Sequence, residues 1–481
     1  MSIEPGWESV IGLEIHVQLA TQSKLFTAAS TQYGAPPNTH VDPVTLGMPG
    51  VLPVLNREAV ELAMRLGIAL GCEIDTKSRF ARKHYFYPDL PKGYQISQLE
   101  RPICNGGQIT IEVDGVKREV RLNRIHLEED AGKLVHEAER DRSLVDYNRA
   151  GVSLVETVSE PDMSTSAEAV AYMRALHQIV VALGVSDGNM EKGNFRCDAN
   201  VSVRPVGQEE LGTRTELKNI NSFRFVGRAI DYEIDRQIAH IESGGVVVQE
   251  TRLWDDEAGV SRALRSKEEA HDYRYFPDPD LIEVSIDEAW YERVRTSIPE
   301  LPGARRERFV SLGLSEYDAD VLTQSKGRAD YFEAVCVSIS DGKLVSNWIQ
   351  GELLGALNAQ GKEIEDSPVS AQSLAELLGL VADKTVSSKM AKSCFSAMFS
   401  QGVSPSQWVQ ENGGQITDSS AIEILVREVI EGNPGQVSEY LGGKEKLLGF
   451  FVGRVMQATR GKANPQRVNE LARRLLEERR T

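Results

Sequence analysis

The run Ile11-Gly12-Leu13-Glu14-Ile15-His16-Val17-Gln18-Leu19 alternates apolar and polar residues with a period of two. Only an extended strand keeps such residues in two rows, with Leu13, Ile15, Val17 and Leu19 on one side and Glu14, His16 and Gln18 on the other. The chain must therefore build a sheet with one buried face and one face carrying ionisable groups. Residues i and i+2 lie about 6.6 Å apart on a strand. Glu14 and His16 can converge on one ion or its hydration shell, although the same alternation also describes a plain solvated face.

Three further stretches repeat the pattern. Arg124-Ile125-His126-Leu127 leads into Glu128-Glu129-Asp130-Ala131-Gly132-Lys133, where acids at a strand end suit a cation or simply form a solvated turn. In the run from Phe195 to Arg204, Phe195, Cys197, Ala199, Val201 and Val203 form the apolar row, opposite Arg196, Asp198, Asn200, Ser202 and Arg204. In Thr213 to Asn219, Arg214, Glu216 and Lys218 share a face, either as surface ion pairs or as a lysine for phosphate beside a glutamate for an ion. Crowded carboxylates are costly unless cations share the site. Mg²⁺, which takes oxygen ligands and bridges carboxylates to phosphates, is the expected ion.

The residues exclude several other chemistries. Gly442-Gly443-Lys444 lacks the upstream glycine and following Ser/Thr of a phosphate-binding loop, and no G-x-G-x-x-G opens a helix after a strand. There is no G-x-S-x-G elbow, and Ser387-Ser388-Lys389 lacks the glycine-rich surroundings of a serine amidase. Cys72, Cys104, Cys197, Cys336 and Cys394 are dispersed and odd in number, which disfavours a disulfide framework or cysteine zinc site. A net charge of −17 restricts nucleic-acid contact to a local basic patch. No stretch approaches the ~20 apolar residues of a membrane helix, and the N-terminus shows no export signal. The expected compartment is the cytoplasm.

At 481 residues the chain exceeds one ordinary core. Short strands and turns dominate up to about residue 293, where Ser297-Ile298-Pro299-Glu300-Leu301-Pro302-Gly303 punctuates the chain. Helical spacing follows, as in Leu374, Leu377, Leu378 and Val381. Gln401 to Pro405 marks a second break. The expected division is 1–293, 294–407 and 408–481. In the last part, Leu447, Leu448, Phe451, Val455 and Met456 form an apolar stripe, Gly461 ends the helix, and Asn464 and Pro465 open the next. The fold class expected is α+β.

Nine motifs in order carry a resemblance. They run from Val10 to His16, Pro49 to Val54, Arg82 to Asp89, Tyr94 to Gln98, Leu127 to Lys133, Asp146 to Arg149, Ser159 to Asp162, Arg196 to Asn200, and Glu216 to Asn219. With them the whole chain resembles the B-subunits of the aspartyl/glutamyl-tRNA(Asn/Gln) amidotransferases, the GatB family.

The resemblance implies an N-terminal antiparallel-sheet cradle with a kinase-like site, an all-helical domain, and a small YqeY-like helical tail that binds tRNA. It implies a ligase reaction: ATP phosphorylates the side-chain carboxylate of Glu-tRNA(Gln) or Asp-tRNA(Asn), and ammonia displaces the phosphate. The family's amidase subunit would hydrolyse glutamine for the ammonia, and a third, small subunit would bridge the two in a heterotrimer. On the family pattern Glu14, His16, Glu128 and Glu129 map to the Mg²⁺ site, with Asp198 and Glu216 as further catalytic acids. Lys83, Asn200 and Lys218 map to phosphate or substrate contacts, and Lys462, Asn464 and Arg467 to tRNA(Gln) or tRNA(Asn). Some relatives carry a thiolate zinc site where this chain has Thr27, Ala29, Asp42 and Thr45. No zinc is expected, and packing around Pro36, Pro37 and Pro43 must hold that loop. The bases Lys444, Lys446, Arg454, Arg460, Lys462, Arg467, Arg473, Arg474, Arg479 and Arg480 fit a local tRNA patch or an ordinary basic helix. Two competing readings are a tRNA-binding scaffold without chemistry of its own and a stand-alone carboxylate–amine ligase.

Overall fold

The computed structural model describes residues 5–137, 140–266, 273–414, 419–459 and 461–479. Two compact units divide the chain, residues 1–302 and 303–481.

The first unit contains strands β1 (Trp7–Gln18), β2 (Glu73–Ile74), β3 (Lys77–Ser78), β4 (Ala81–His84), β5 (Tyr94–Ser97), β6 (Cys104–Asn105), β7 (Gln108–Val113), β8 (Val116–Glu129), β9 (Lys133–Glu137) and β10 (Arg142–Asp146). They are followed by β11 (Ser153–Ser159), β12 (Phe195–Pro205), β13 (Thr215–Ile220), β14 (Glu250–Asp255), β15 (Val260–Ser266), β16 (Phe276–Pro277) and β17 (Val284–Ser285). Its helices are α1 (Arg57–Ala69), α2 (Ser166–Ala182), α3 (Phe223–Glu242) and α4 (Glu288–Thr296). The main sheet runs β15-β14-β13-β12-β1-β11-β8-β6-β2, with β7 also on β8.

Strand β1, the first in sequence order, is thus central, paired antiparallel with β11 and β12. Leu13, Ile15 and Val17 from β1, Ile125 and Leu127 from β8, and Cys197, Ala199 and Val201 from β12 are buried in one core. Helices α1, α2 and α3 supply Met64, Tyr172, Met173, Leu176, Val226 and Ile230 to that core. This leaves the other rows of the central strands uncovered by these helices. Thr165 starts α2 by accepting from the Glu168 amide, and Ser222 starts α3 by accepting from Phe225.

The sheet departs from the expected antiparallel design at one place: β13 and β14 pair parallel. The intervening α3 returns the chain to the same edge, the connection a parallel pair requires. The unit continues to residue 302 because Val294 is buried in its core and Ile298 and Leu301 pack against it.

Hydrogen bonds tie down the loop that carries Thr27, Ala29, Asp42 and Thr45. Asn38 Nδ2 donates to the Val145 carbonyl, and the Tyr147 amide donates to Asn38 Oδ1. The His40 amide donates to Asn148 Oδ1, and Asn148 Nδ2 donates to the Pro36 carbonyl.

The second unit is helical. Helices α5 (Pro302–Ser311), α6 (Glu316–Thr323), α7 (Lys326–Cys336), α8 (Gly342–Trp348), α9 (Leu354–Asn358), α10 (Ala371–Ala382), α11 (Ser388–Gln401) and α12 (Pro405–Asn412) share one core. Leu374, Leu377 and Leu378 are buried there, as their spacing predicts. Gly402 adopts a left-handed φ of 70° to end α11, and Ser404 caps α12 with Pro405 in its first turn. Trp408 and Val409 of α12 pack against this core.

Helices α13 (Ser419–Glu431), α14 (Pro434–Leu441), α15 (Leu448–Ala458) and α16 (Pro465–Glu477) form a second helical core around Phe451, Val455 and Leu476. Asn464 Oδ1 accepts from the amides of Gln466 and Arg467, so it caps α16. No helix among the described residues is long and apolar enough to cross a membrane.

Candidate active site

Two imidazoles and two carboxylates meet on the face opposite the core. Glu156 of β11 lies across from His16 of β1 on one side and from His126 of β8 on the other. Glu128, two residues beyond His126, shares that face. His16 Nε2 lies 3.3 Å from Glu156 Oε2 and 3.6 Å from Glu128 Oε1. His126 Nε2 lies 3.5 Å from Oε2 of both carboxylates.

Burial acts to lower the His16 pKa, but the hydrogen bond and charge of Glu156, joined by Glu128, outweigh it and hold the imidazole at about 9. Burial acts in the opposite sense on the carboxylates, raising both. The His126 hydrogen bond to Glu128 and the His126 and His16 interactions with Glu156 nevertheless leave both below the ordinary range. One ligand atom each from His16, Glu128 and Glu156 falls within 4.8 Å of the others, a grouping able to hold a metal ion. Two carboxylates and one imidazole make a mixed oxygen and nitrogen donor set.

Lys83, on β4, stands above the Tyr273 ring at 4.9 Å. Burial works to lower its pKa, but the charges of Glu128 and Glu156, with Tyr275 and Tyr273, hold it above the usual lysine value.

A second group continues along β1, β12 and β13. Glu14 lies across from Asp198, and Asn200 across from Glu216. Asn200 Nδ2 donates to Glu14 Oε1 at 2.9 Å. Lys218 Nζ lies 2.5 Å from Asp198 Oδ2 and 2.9 Å from Glu216 Oε1. Thr251 donates to the other Glu216 oxygen. Burial, then the charges of Glu156 and Glu216, raise the Glu14 pKa, while Asn200 and Lys218 counteract this. Burial would lower Lys218, but Asp198 and Glu216 hold it above its usual value.

A third group lies beside the first. Asp130 accepts from Gln18 Nε2 at 2.6 Å and pairs with Arg196 at 2.9 Å and Arg149 at 3.7 Å. Burial alone would raise its pKa; the two guanidinium groups bring it below the ordinary range. Arg149, Arg196 and Asp198 line a cavity of about 810 Å³ together with Tyr33, Asn219 and Asn221.

Residues 9–292 match the family model described as the GatB/GatE catalytic domain, and residues 330–476 match the one described as the GatB domain. The chain is 55% identical to the aspartyl/glutamyl-tRNA(Asn/Gln) amidotransferase B-subunit of Syntrophotalea carbinolica, covering 98% of both chains. The chain belongs to the GatB family. It is also 56% identical to the protein of that name from Alkalilimnicola ehrlichii, over 98% of this chain and 99% of the relative. The Geotalea daltonii protein of that name is 57% identical, over 97% and 98% respectively.

Within this GatB-family chain, the sheet brings Glu14, His16, Glu128, Asp198, Asn200, Glu216 and Lys218 to one face, with Lys83 over it. Glu129 is separated from them. It follows Glu128 directly, so the strand turns it to the other face, where Lys92 Nζ reaches it at 2.5 Å and the Ile96 amide donates to it at 3.0 Å. Sequence reasoning missed Glu156, His126 and Arg149 as site residues, and took Asp130 only as one of three acids suited to a cation or a solvated turn. Glu156 leaves a signal, since a lone carboxylate in Ser153-Leu154-Val155-Glu156-Thr157-Val158 interrupts a run too apolar for a solvated face.

Among the tail positions, Asn464 serves as the α16 cap and Arg467 pairs with Glu470 at 3.0 Å. Lys462 sits two residues before that cap. Arg460 and Arg480 lie outside the described residues.

Proposed function

We propose that this chain is the transamidating component of an aspartyl/glutamyl-tRNA(Asn/Gln) amidotransferase, a ligase that amidates the side chain of Glu-tRNA(Gln), Asp-tRNA(Asn) or both. The observation that carries the reading is the adjacency of the His16–Glu128–Glu156 cluster to the Glu14–Asp198–Glu216–Lys218 cluster on one sheet face.

A carboxylate resists attack by ammonia because it is negatively charged and its oxygen leaves poorly. In the proposed first step the substrate carboxylate oxygen attacks the γ-phosphorus of ATP, and the bond to ADP breaks. In the second step ammonia adds to the acyl phosphate carbon, the carbon–oxygen bond to phosphate breaks, and the nitrogen loses a proton to a base. Positioning and cationic stabilisation supply the catalysis.

His16, Glu128 and Glu156 would hold Mg²⁺, with Glu14, Asp198 and Glu216 supporting phosphate-bound Mg²⁺. Bound there, the ion neutralises charge on the transferring phosphoryl group. Lys218 and Lys83 add positive charge, and Asn200 orients Glu14. Glu129, buried behind the sheet, would act on the site only through its neighbours.

Ammonia would come from a glutaminase partner, the family's amidase subunit, with a third, small subunit completing a heterotrimer in the cytoplasm. Residues 1–293 would carry the chemistry, 294–407 would connect, and 408–481 would bind tRNA through Lys462, Arg467 and nearby bases. Asn464 would aim that helix end rather than touch the nucleic acid.

The test is to assemble the chain with its partners and supply misacylated tRNA, ATP and glutamine. Amidated aminoacyl-tRNA should form, with a phosphorylated aminoacyl intermediate when ammonia is withheld. Binding of tRNA without that intermediate would instead indicate a scaffold, and amide formed without tRNA a small-molecule ligase.

A further inference from the structure

Arg196 connects the two halves of the site. It lies across from His16 in the β1–β12 ladder, and two residues before Asp198 on β12. Its guanidinium meets Asp130 at 2.9 Å, while its Nε is enclosed without a hydrogen-bond partner. Asp130 also faces Arg149 at 3.7 Å and takes a hydrogen bond from the neutral Gln18. One carboxylate therefore stands against two guanidinium groups that never lose their charge. Arg149 additionally donates to the carbonyls of Ala131 and Gly132, which fixes it in place. Beyond these direct contacts, Asp198 and Glu128 also act on the Arg196 charge.

We propose that Arg196 receives the side-chain carboxylate of the aminoacyl group, with Asp130 as the residue that positions it. This rests on the transamidase reading above. A guanidinium presents a planar fork that matches a carboxylate with two parallel hydrogen bonds. The cavity that Arg196 lines falls within the ~300–1,000 Å³ range of small-ligand sites. Its wall offers an exposed aromatic ring, Tyr33, and the neutral amides of Asn219 and Asn221, groups suited to a nucleoside. A carboxylate on Arg196 would sit beside the His16 cluster and next to Asp198, between the ion site and the phosphate side. The acidic Glu14–Asp198–Glu216 group, by contrast, needs a cation before it can accept phosphate. The observations therefore favour the aminoacyl carboxylate over a phosphate of ATP as the anion on Arg196.

The test uses the assembled complex and compares wild type with Arg196→Lys, Asp130→Asn and Arg196→Ala. For Arg196→Lys, loss of the fork should raise KM for aminoacyl-tRNA by roughly 10- to 100-fold. ATP affinity and affinity for uncharged tRNA, each measured by calorimetry, should stay within about twofold, since neither carries that carboxylate. Asp130→Asn should raise the same KM by a smaller factor. Guanidinium ion added to Arg196→Ala should restore part of the lost rate, which a purely structural role would not allow. Weakened ATP affinity in parallel with KM would overturn the proposal and make Arg196 a phosphate receptor. Unchanged KM, or no rescue in a variant with wild-type thermal unfolding, would also overturn it. Absence of amidated product from the wild-type complex would instead fail the transamidase reading itself.

Discussion

Glu156 lies directly across the β1–β11 ladder from His16, its Oε2 3.3 Å from the imidazole Nε2. The same carboxylate reaches His126 on the far side at 3.5 Å. One side chain from an otherwise uncharged strand thus joins two histidines. Replacing Glu156 by Gln should lower kcat for amidation by about 100-fold or more, the scale of losing one preorganised electrostatic group. Steady-state kinetics on the assembled complex will measure it, and near-normal turnover would remove Glu156 from the site.

The His16 imidazole is raised from 6.5 to about 9. Its pairing therefore contributes stability that is fully present below pH 6.5 and lost as pH rises through about 9. A metal ion on the same nitrogen requires the neutral ring. Binding of Mg²⁺ at neutral pH should release close to one proton, and affinity should rise with pH until about 9. Calorimetry in two buffers of different ionisation enthalpy will count the protons. No release would mean that the ion does not displace the His16 proton.

Lys24 is fully enclosed, with Nζ 3.2 Å from the Tyr147 carbonyl. Burial lowers its pKa from 10.5 to about 8, against the pull of Asp42, Glu129 and Asp146. The folded chain holds this proton less tightly than the unfolded chain, so the penalty is full below pH 8 and fades as pH approaches 10.5. Lys24→Met should raise Tm at pH 7, and its advantage over wild type should shrink by pH 10. A difference in Tm that stays constant across this range would contradict the assignment.

At the α16 end, Lys462 and Asn464 should separate cleanly. Lys462→Ala should weaken tRNA binding and reduce the slope of log affinity against log salt by about one unit. Asn464→Ala removes a cap, which costs about 1 kcal/mol of stability. It should leave that salt slope unchanged. Filter binding across a salt series, with thermal unfolding, distinguishes the two effects.

The phases of β1 and β12 were legible because strict alternation admits one register: Leu13 and Ile15 go in, Glu14 and His16 go out. Alternation is harder to follow in Glu128-Glu129-Asp130, where three acids in a row conceal which one turns away. Glu129 turns away, toward Lys92. Glu156 escaped notice because its row neighbours on β11, Leu154 and Val158, are apolar and the strand is largely buried at its central place in the sheet. The parallel β13–β14 pair was not legible either, since local residue pattern does not encode the direction in which α3 returns the chain. Asn464 and Pro465 were the opposite case and name the start of α16 outright, whereas Ser404 and Pro405, read only as a break, cap and open α12.

The central position of β1 also has a consequence for synthesis. Residues 7–18 leave the ribosome well before their partners, β11 at 153–159 and β12 at 195–205. Contacts so distant along the chain form slowly, because long loops must close before any pairing rewards them. The nascent strand must wait unpaired until β11 emerges more than a hundred residues later, its apolar row exposed to other chains. A product that ends before β12 lacks Asp198, Asn200, Glu216 and Lys218, so it cannot assemble the whole of the polar face.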